Sequence, residues 1–319
     1  MTANLVSRHG ADTESDLGTD FRTDIEPDTK TIGTGLDGLV HILDLEQIDN
    51  DIFRGRTANV KMQRIFGGQV AGQALVAAGR TVPADRTIHS LHSYFLRPGD
   101  PTVPIVFLVD RVRDGKSFST RYVSAVQHGR PIFTLNASFH AVEPGFEHQD
   151  EMPDVPDPES LPPIGHWEDG FPGIKEAMSR FTMPIDLRYV DDPPWVQRAK
   201  GPRESGLNRV WMRANGILPN DPLIHVCTLA FSSDLTLLDS FLIRHGVAWG
   251  MDPIIGASLD HAMWFHRPFR ADEWFLYVSQ SPSASGGRGL ARGQMYNRDG
   301  LRIASVVQEG LVRHIDPDA

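Results

Sequence analysis

The sequence predicts an α+β protein in which one structural unit occurs twice. One observation is internal similarity, since Tyr94-Phe-Leu-Arg-Pro98 returns 170 residues later as Trp264-Phe-His-Arg-Pro268. Three further identities lie 171 residues apart: Gly115 with Gly286, Arg121 with Arg292, and Gly129 with Gly300. Identities that recur in order at a nearly constant spacing are typical of a duplicated supersecondary unit. A second observation is that both copies show the same order of predicted elements: a strand, a helix and a run of strands.

The first strand of each copy is predicted at 39–45 and 209–213, and the helix that follows it at 70–81 and 234–245. The helix of the second copy carries an apolar stripe, as a packed helix does: Leu235, Leu238, Phe241 and Leu242. The helix of the first copy, Ala71-Gly-Gln-Ala-Leu-Val-Ala-Ala78, has small side chains almost all round. A curved sheet can therefore enclose it closely.

Four strands follow the helix in each copy. Runs rich in Val, Ile, Phe and Tyr, separated by turn residues, predict them at 89–96, 104–112, 118–127 and 132–140, and again at 258–266, 274–281, 289–297 and 302–312. Gln127-His-Gly129 and Asn297-Arg-Asp-Gly300 are predicted to be hairpin turns. A helix wrapped by an antiparallel sheet is the hotdog arrangement, so two copies predict a double hotdog.

Composition divides the chain into four segments. Residues 1–35 hold seven acids and three bases with few large apolar residues, which predicts a disordered acidic tail. Ten of the 23 prolines fall between Pro153 and Pro202, so 145–205 is predicted to be a Pro-rich connection with at most short helices, for example near 173–181. The hotdog units then occupy 36–144 and 206–315.

Bulk properties exclude several classes of function. A net charge of −10 argues against a general binder of nucleic acid or of anionic membranes, because both need a basic surface. The one cysteine, Cys227, lies in an apolar run and is expected to be an inert core residue in a reducing compartment. No run reaches the roughly 20 apolar residues of a membrane span, and the N-terminus lacks the pattern of a signal peptide. We therefore expect a cytoplasmic protein.

Motifs for nucleotide, serine-hydrolase and metal chemistry are missing. Gly256-Ala-Ser-Leu-Asp260 only approaches a nucleophile elbow, and the glycines at 287–293 lack the spacing of a dinucleotide-binding loop. The pairs His89/His92 and His261/His266 have odd separations, which on regular strands point side chains to opposite faces. The expectation is therefore no metal.

Asp234 is the main candidate for chemistry. It follows Ser232-Ser233 and precedes an apolar stripe, so it is predicted to lie in the first turn of the second helix. Asp is common there as a cap or dipole partner, but the two serines can cap in its place. The matching part of the first copy, Phe66-Gly-Gly-Gln-Val70, has no acid. This asymmetry favours a functional acid in one copy, although a structural use stays open.

Several long strings resemble the acyl-CoA thioesterase II family: 64–75, 89–99, 113–118, 258–269 and 307–310. The resemblance covers about Leu39 to Arg313 and implies a double hotdog that hydrolyses fatty acyl-CoA. It also implies a catalytic set of Asp234, Ser258 and Gln308, with Ser258 standing where many relatives carry Thr. No cofactor is implied, because CoA is part of the substrate.

These residue types suit hydrolysis of a thioester by water. An Asp at a helix start is expected to stay ionised and to accept a proton from water, while Ser258 and Gln308 hold that water. A covalent anhydride on Asp234 stays open. Backbone N–H groups of Gly67, Gly68 and Gln69 are candidates for the oxyanion hole, although these glycines could serve packing alone. One composite site per chain is then expected between the units.

Other interpretations are weaker. Asp260 lies two residues after Ser258 and is the second candidate for the acid, but a structural use of Asp260 and His261 is favoured. A hotdog enoyl-CoA hydratase would use an Asp/His pair, and adjacent strand residues point apart. An inactive acyl-CoA binding protein would not need the acid, hydroxyl and amide set. A homo-oligomer of double-hotdog chains is expected, since antiparallel sheet edges need covering.

Overall fold

A single antiparallel sheet connects both copies in the computed structural model, which describes residues 35–57, 63–167, 170–171, 174–176 and 183–315. Within this part of the chain the sheet has thirteen strands: β1 Glu46–Asp49, β2 Ile52–Gly55, β3 Arg86–Phe95, β4 Ile105–Asp114, β5 Phe118–Gln127, β6 Arg130–Ala141, β7 Ile185–Tyr189, β8 Asn208–Ala214, β9 Ile254–Ser258, β10 Asp260–Phe265, β11 Phe275–Ser285, β12 Arg288–Asn297 and β13 Arg302–His314. The predicted tail 1–35 lies outside the described residues except for Gly35.

The duplication predicted from the sequence is visible in the strand order. The order is β1-β2-β4-β5-β6-β3-β10-β13-β12-β11-β8-β7, with β9 also paired to β13. Read from either edge, the strands appear in the same sequence of roles, so β3 and β10 are equivalent and meet at the centre. His92 pairs with Ala262 there, and these two residues are 170 apart. The repeat spacing thus identifies the point about which the two copies are related by an approximate twofold.

Helices pack against this sheet and against one another. The α-helices whose bounds lie within the described residues are α1 Gly35–Leu43, α2 Gly67–Gly79, α3 Pro194–Lys200, α4 Pro222–Ser233 and α5 Asp239–His245, and short 3-10 helices lie at Pro158–Ser160 and Ile164–Trp167. Residues 68–78 of α2 are all buried, as its small side chains predicted. A Cβ at Gly72 would lie 3.1 Å from the carbonyl oxygen of Cys227, and one at Gly68 only 2.4 Å from that of Phe231. These contacts show that α2 and α4 cross closely and run antiparallel, with the start of α2 beside the end of α4.

Two predicted elements were wrong. The first strand at 39–45 is the helix α1, because Leu39, Ile42 and Leu43 recur at helical spacing and share its buried face. Of the helix predicted at 234–245, only Asp239–His245 is helical, as α5. The helix of the second copy that is equivalent to α2 lies earlier in the sequence, at α4. Asp221 caps α4 by accepting from the N–H of Leu223, with Pro222 at the first helical position. The apolar run around Cys227 is therefore a buried helix, and Cys227 is buried within it.

The remaining strand predictions agree with the structure, apart from their ends. The predicted strand 258–266 is divided at Leu259 into β9 and β10. The Pro-rich segment 145–205 contains β7, which pairs with β8 and is the edge strand of the second unit. That unit therefore begins near 185 and not at 206. The short helix predicted near 173–181 falls largely outside the described residues. Among the described helices, none combines the length and the apolar character needed to cross a membrane.

Candidate active site

Asp234 lies at the C-terminal end of α4, not at the start of a helix as predicted. It is the residue after Ser233, and the chain leaves the helical path there until α5 begins at Asp239. A carboxylate next to a helix C-terminus is not favoured by that helix's dipole. The expectation that its own helix keeps Asp234 ionised is therefore wrong.

The carboxylate of Asp234 instead meets the N-terminus of α2, which belongs to the first copy. The backbone N–H of Gly68 lies near it and acts to lower its pKa. A Cβ at Gly67 would lie 2.7 Å from Oδ2 of Asp234, so the absence of a side chain permits this approach. A helix start stabilises the carboxylate after all, but that start is supplied by the other half of the chain.

Ser258 and Gln308 form a closed triangle with Asp234. The Ser258 hydroxyl donates to Oδ1 of Asp234 at 3.1 Å, and Nε2 of Gln308 donates to the same oxygen at 3.0 Å. The third side is the bond from Nε2 of Gln308 to Oγ of Ser258, at 2.8 Å. The three residues named by the resemblance are thus brought together from α4, β9 and β13, which are far apart in the sequence.

A β-bulge beside the triangle decides which side chains face it. Ser258 pairs with Gly310 and Ala262 with Val307, so three residues of one strand, 259–261, oppose two of β13. The extra residue reverses the alternation of side chains. As a result His261 faces inward with Ser258, whereas Asp260 points away and accepts from the N–H of Glu309 at 2.7 Å.

The bulge corrects the prediction that Asp260 shares a strand face with Ser258. The same one-residue shift occurs in β3 between Ile88 and Ser90, so it belongs to the repeated unit. His261, which sequence reasoning set aside as packing, is 1% exposed. Its ring lies between Oε1 of Gln308, at Nδ1, and Oγ of Ser233, 2.8 Å from Nε2. An internal comparison of strand pairing in the two copies could have identified it.

Burial sets the electrostatics of the site. Loss of hydration raises the pKa of Asp234 above the ordinary value of 3.8, while His261 and the donors Gln308, Ser258 and Gly68 act to lower it. Burial also lowers the pKa of His261 below the ordinary 6.5. A carboxylate with a raised pKa is a stronger base, which suits proton abstraction from water.

A cavity of about 490 Å³ opens beside the triangle. The first copy contributes 64–67, Val70, 95–99 and 132–133, and the second contributes 234–235, 238–239, Trp249 and 256–259. Its wall is largely apolar. One further acid lines it, Asp239, whose Oδ2 accepts from the buried hydroxyl of Tyr189 at 3.0 Å. Burial raises the pKa of Asp239 to about 7.

The three backbone candidates for the oxyanion hole differ in what their N–H groups already do. Gly67 lines the cavity. The N–H of Gly68 lies near Asp234 and acts to lower its pKa, so it lies beside the site. The N–H of Gln69 donates to the carbonyl of Phe66 at 3.1 Å and is engaged within the helix start. Gly67 and Gly68 are therefore better placed than Gln69.

The approximate twofold defines a second location, at the start of α4 and the end of α2, and it lacks the polar set. The helices start at Gly67 and Pro222, so Gly79 is equivalent to Asp234. The strand spacing of 170 makes Ile88 equivalent to Ser258 and Leu91 to His261, and the spacing of 171 makes Ala137 equivalent to Gln308. One acid site per chain results.

The described residues form neither a metal site nor a reactive thiol. In the described ranges, no three His, Cys, Asp or Glu side chains gather as a metal site requires. Cys227 is buried, and burial raises the pKa of its thiol well above the ordinary value. A thiol in that state is a poor nucleophile.

Comparisons with known proteins place the chain in a family. The family model described as acyl-CoA thioesterase matches residues 178–311, and the one described as acyl-CoA thioesterase N-terminal domain matches 56–140. Human acyl-coenzyme A thioesterase 8 is 42% identical, with 85% of this chain and 88% of that protein covered. The crystal structure of acyl-CoA thioesterase II TesB2 from Mycobacterium marinum is 45% identical with a TM-score of 0.73, covering 87% of this chain and 99% of that one. A protein with a hot dog fold from Alicyclobacillus acidocaldarius has a TM-score of 0.71 at 19% identity, over 87% of this chain and 98% of that one, a likeness of fold alone.

Fold and comparisons together define a double hotdog thioesterase. The chain belongs to the acyl-CoA thioesterase II family. It is an enzyme that hydrolyses acyl-CoA thioesters, and the predictions of fold class, family and enzyme class are confirmed.

Proposed function

We propose that the enzyme hydrolyses fatty acyl-CoA with a water molecule activated by Asp234 and held by Ser258 and Gln308. The observation that carries this proposal is the closed triangle of an acid, a hydroxyl and an amide, of which the acid Asp234 and the hydroxyl of Ser258 line a largely apolar cavity. A thioester carbonyl entering the cavity would meet this triangle, while the acyl chain lies along apolar side chains.

The chemical step is direct hydrolysis. Asp234 takes a proton from water as its oxygen attacks the thioester carbonyl carbon, giving a tetrahedral oxyanion. The carbon–sulfur bond then breaks, the CoA sulfur takes the proton back from Asp234 and leaves as the thiol, and the fatty acid is released. Ser258 and Gln308 steady the carboxylate by donating to one of its oxygens. Gln308 orients the water through Asp234 and Ser258, because both hydrogens of its Nε2 are bonded to those two residues.

The oxyanion would be stabilised at the start of α2. Helix N-termini carry free N–H groups and partial positive charge. Gly67 lines the cavity and the N–H of Gly68 lies near Asp234, so these N–H groups would donate to the oxyanion once the proton has passed to Asp234. Removing one such donor commonly costs about a hundredfold or more in kcat.

The two ends of the substrate need different surroundings. The acyl chain would lie along an apolar wall formed by Phe66, Val70, Phe95, Leu235, Leu238 and Trp249. Arg64 and Arg97 line the same cavity and are exposed, which suits contact with the phosphates of CoA.

Neither alternative function gains support from the site. A hydratase would need an Asp and a His facing substrate. Asp260 is bonded to the backbone of β13, and both ring nitrogens of His261 are engaged with Gln308 and Ser233. A binding protein without activity would not need an acid, a hydroxyl and an amide hydrogen-bonded to one another beside the cavity.

The setting of the reaction is part of the proposal. The chemistry uses no cofactor besides the CoA of the substrate. The single buried thiol and the charge of −10 suit the cytoplasm, and further pairing of chains would cover sheet edges. Cell fractionation and light scattering of the purified protein test location and assembly.

The direct test of the mechanism is Asp234→Asn, assayed by release of free CoA from palmitoyl-CoA with a thiol reagent. Loss of the base should lower turnover by about a thousandfold while thermal unfolding is retained. The matched control is Asp260→Asn, which keeps an oxygen to accept from Glu309 and should stay within about twofold of wild type. Full activity in Asp234→Asn together with loss in Asp260→Asn would move the base to Asp260.

A further inference from the structure

His261 lies directly behind Gln308 and does not line the cavity. Its side chain is 1% exposed, and those of Gln308 and Ser233 are fully buried. The ring bridges these two residues, with Nδ1 against Oε1 of Gln308 and Nε2 2.8 Å from Oγ of Ser233. A polar chain therefore runs from Ser233 through His261 and Gln308 to Asp234.

The hydrogen bonds of Gln308 are determined at both ends of its amide. Nε2 donates its two hydrogens to Asp234 and Ser258, at 3.0 and 2.8 Å. Oε1 can only accept, so Nδ1 of His261 carries a hydrogen and donates to it. If the amide turned over, its oxygen would face the carboxylate and its NH₂ group would face an N–H. His261 therefore rejects the inverted orientation as strongly as Asp234 does.

The other ring nitrogen of His261 is bonded to Ser233. Burial lowers the pKa of this ring, which favours its neutral form. A neutral ring that donates from Nδ1 must accept at Nε2, so the single hydrogen of the Ser233 hydroxyl points to Nε2, 2.8 Å away. The carbonyl of Ala230 lies at the same 2.8 Å from Oγ and competes for that hydrogen, because it too can only accept.

The first copy shows that the fold does not require this row of hydrogen-bonded polar side chains. Leu91 occupies the position equivalent to His261 on the same bulged strand and is fully buried, and Ala137 stands opposite in place of Gln308. An apolar pair therefore fills this location where no acid is present. Burying a polar pair is less favourable unless every group is bonded, so the pair in the second copy indicates a role in the reaction.

We propose that His261, with Ser233 behind it, is a positioning residue that holds the Gln308 amide in the orientation needed to donate to Asp234 and Ser258, which in turn hold the attacking water. The proposal rests on the function assigned above to the triangle. His261 touches neither the substrate nor the reacting atoms.

The test compares two substitutions of His261. His261→Leu installs the residue of the first copy and removes the donor, so kcat should fall about ten- to a hundredfold, the equivalent of one or two lost bonds to a charged group. KM should stay unchanged because His261 lies outside the cavity. His261→Asn places an amide N–H near the position of Nδ1 and should restore most of kcat. A structural role alone would be relieved by Leu, which already fits this strand, and not by Asn.

A double-mutant cycle with Gln308→Ala, measured in single turnover at stoichiometric enzyme, separates action through Gln308 from a general effect. His261→Leu should have no further effect on the rate in the Gln308→Ala background. An equal loss in both backgrounds, or an unchanged kcat in His261→Leu, would overturn the proposal. If His261→Leu does not fold, Ser233→Ala decides. This substitution removes the hydroxyl that bonds Nε2 of His261, so the ring is no longer held in one tautomer and kcat should fall several-fold at constant KM. An unchanged kcat would refute the positioning role of His261.

The outcome is distinguishable from failure of the proposed mechanism. Activity retained in Asp234→Asn would refute the mechanism itself. Activity abolished in Asp234→Asn but retained in both His261→Leu and Ser233→Ala would leave the mechanism standing and remove only the positioning role.

Discussion

Asp239 makes the stability of the folded protein depend on pH, and the substitution Asp239→Asn should remove that dependence. The carboxyl is 7% exposed, at the start of α5, and accepts one hydrogen bond from Tyr189. Burial is the main cause that raises its pKa from 3.8 to about 7, since the bond from Tyr189 acts in the opposite direction. Asparagine keeps an oxygen for Tyr189 and carries no charge at any pH.

The size of the effect follows from the shift. The folded state holds the proton of Asp239 more tightly than the unfolded chain does, so the stabilising contribution is complete below about pH 4 and is lost as pH rises through about 7. A shift of about three units at about 1.4 kcal/mol each corresponds to about 4 kcal/mol. Relative to wild type, Asp239→Asn should therefore gain up to about 4 kcal/mol in free energy of unfolding between about pH 4 and pH 8.

Urea unfolding of both proteins across this range measures the difference directly. The control is Asp299→Asn, which removes an exposed carboxyl on the turn between β12 and β13 and should leave the difference constant with pH. Parallel stability curves for wild type and Asp239→Asn would refute the assignment of a buried carboxyl that is neutral in the folded state.

Three further outcomes are expected. The acid limb of the pH profile of kcat/KM should lie above the ordinary value of 3.8 for an Asp, because burial raises the pKa of Asp234 and only its ionised form can act as base; a limb at or below 3.8 contradicts this. Arg97→Ala should raise KM for palmitoyl-CoA by about fivefold in a salt-dependent way. Arg267→Ala should leave KM unchanged, because Arg267 makes the equivalent backbone bond away from the cavity. Equal KM values for the two variants would remove Arg97 from the CoA site. Arg121→Met should lower the free energy of unfolding by about 3 kcal/mol or more, since this fully buried side chain bonds Asp114 and Thr81, while Arg292→Met at the equivalent exposed position should have little effect in the same urea titration.

Local pattern was sufficient for most of the strands and for the duplication. Strands β4, β5, β6, β11, β12 and β13 alternate or run apolar between clear turns, so their sequence periods match their structure. The repeat also includes Arg97 and Arg267, and each donates to an equivalent carbonyl, of Pro131 and Arg302 respectively. Asp234, Ser258 and Gln308 were named through family resemblance, and the fold brings them into contact.

The helix that ends at Asp234 was missed because it is largely buried and has no polar face. Residues 222–233 read as an apolar run, and periodicity cannot separate a buried helix from a buried strand in such a run. The Asp221-Pro222 pair was a usable start signal. The neighbour of the acid, the start of α2, is more than 150 residues away in sequence and could not be read locally.

The sequence by itself therefore determined the two-copy architecture, the positions of most strands and an acid present in one copy only. The tertiary structure alone decided what surrounds that acid. A one-residue bulge turned His261 inward and Asp260 outward, and an antiparallel crossing of two helices placed the N-terminus of one copy against the carboxylate of the other. Side-chain direction in a strand depends on the partner strand, and the pKa of a carboxyl depends on whatever the fold packs around it. Neither quantity is contained in the sequence next to the residue.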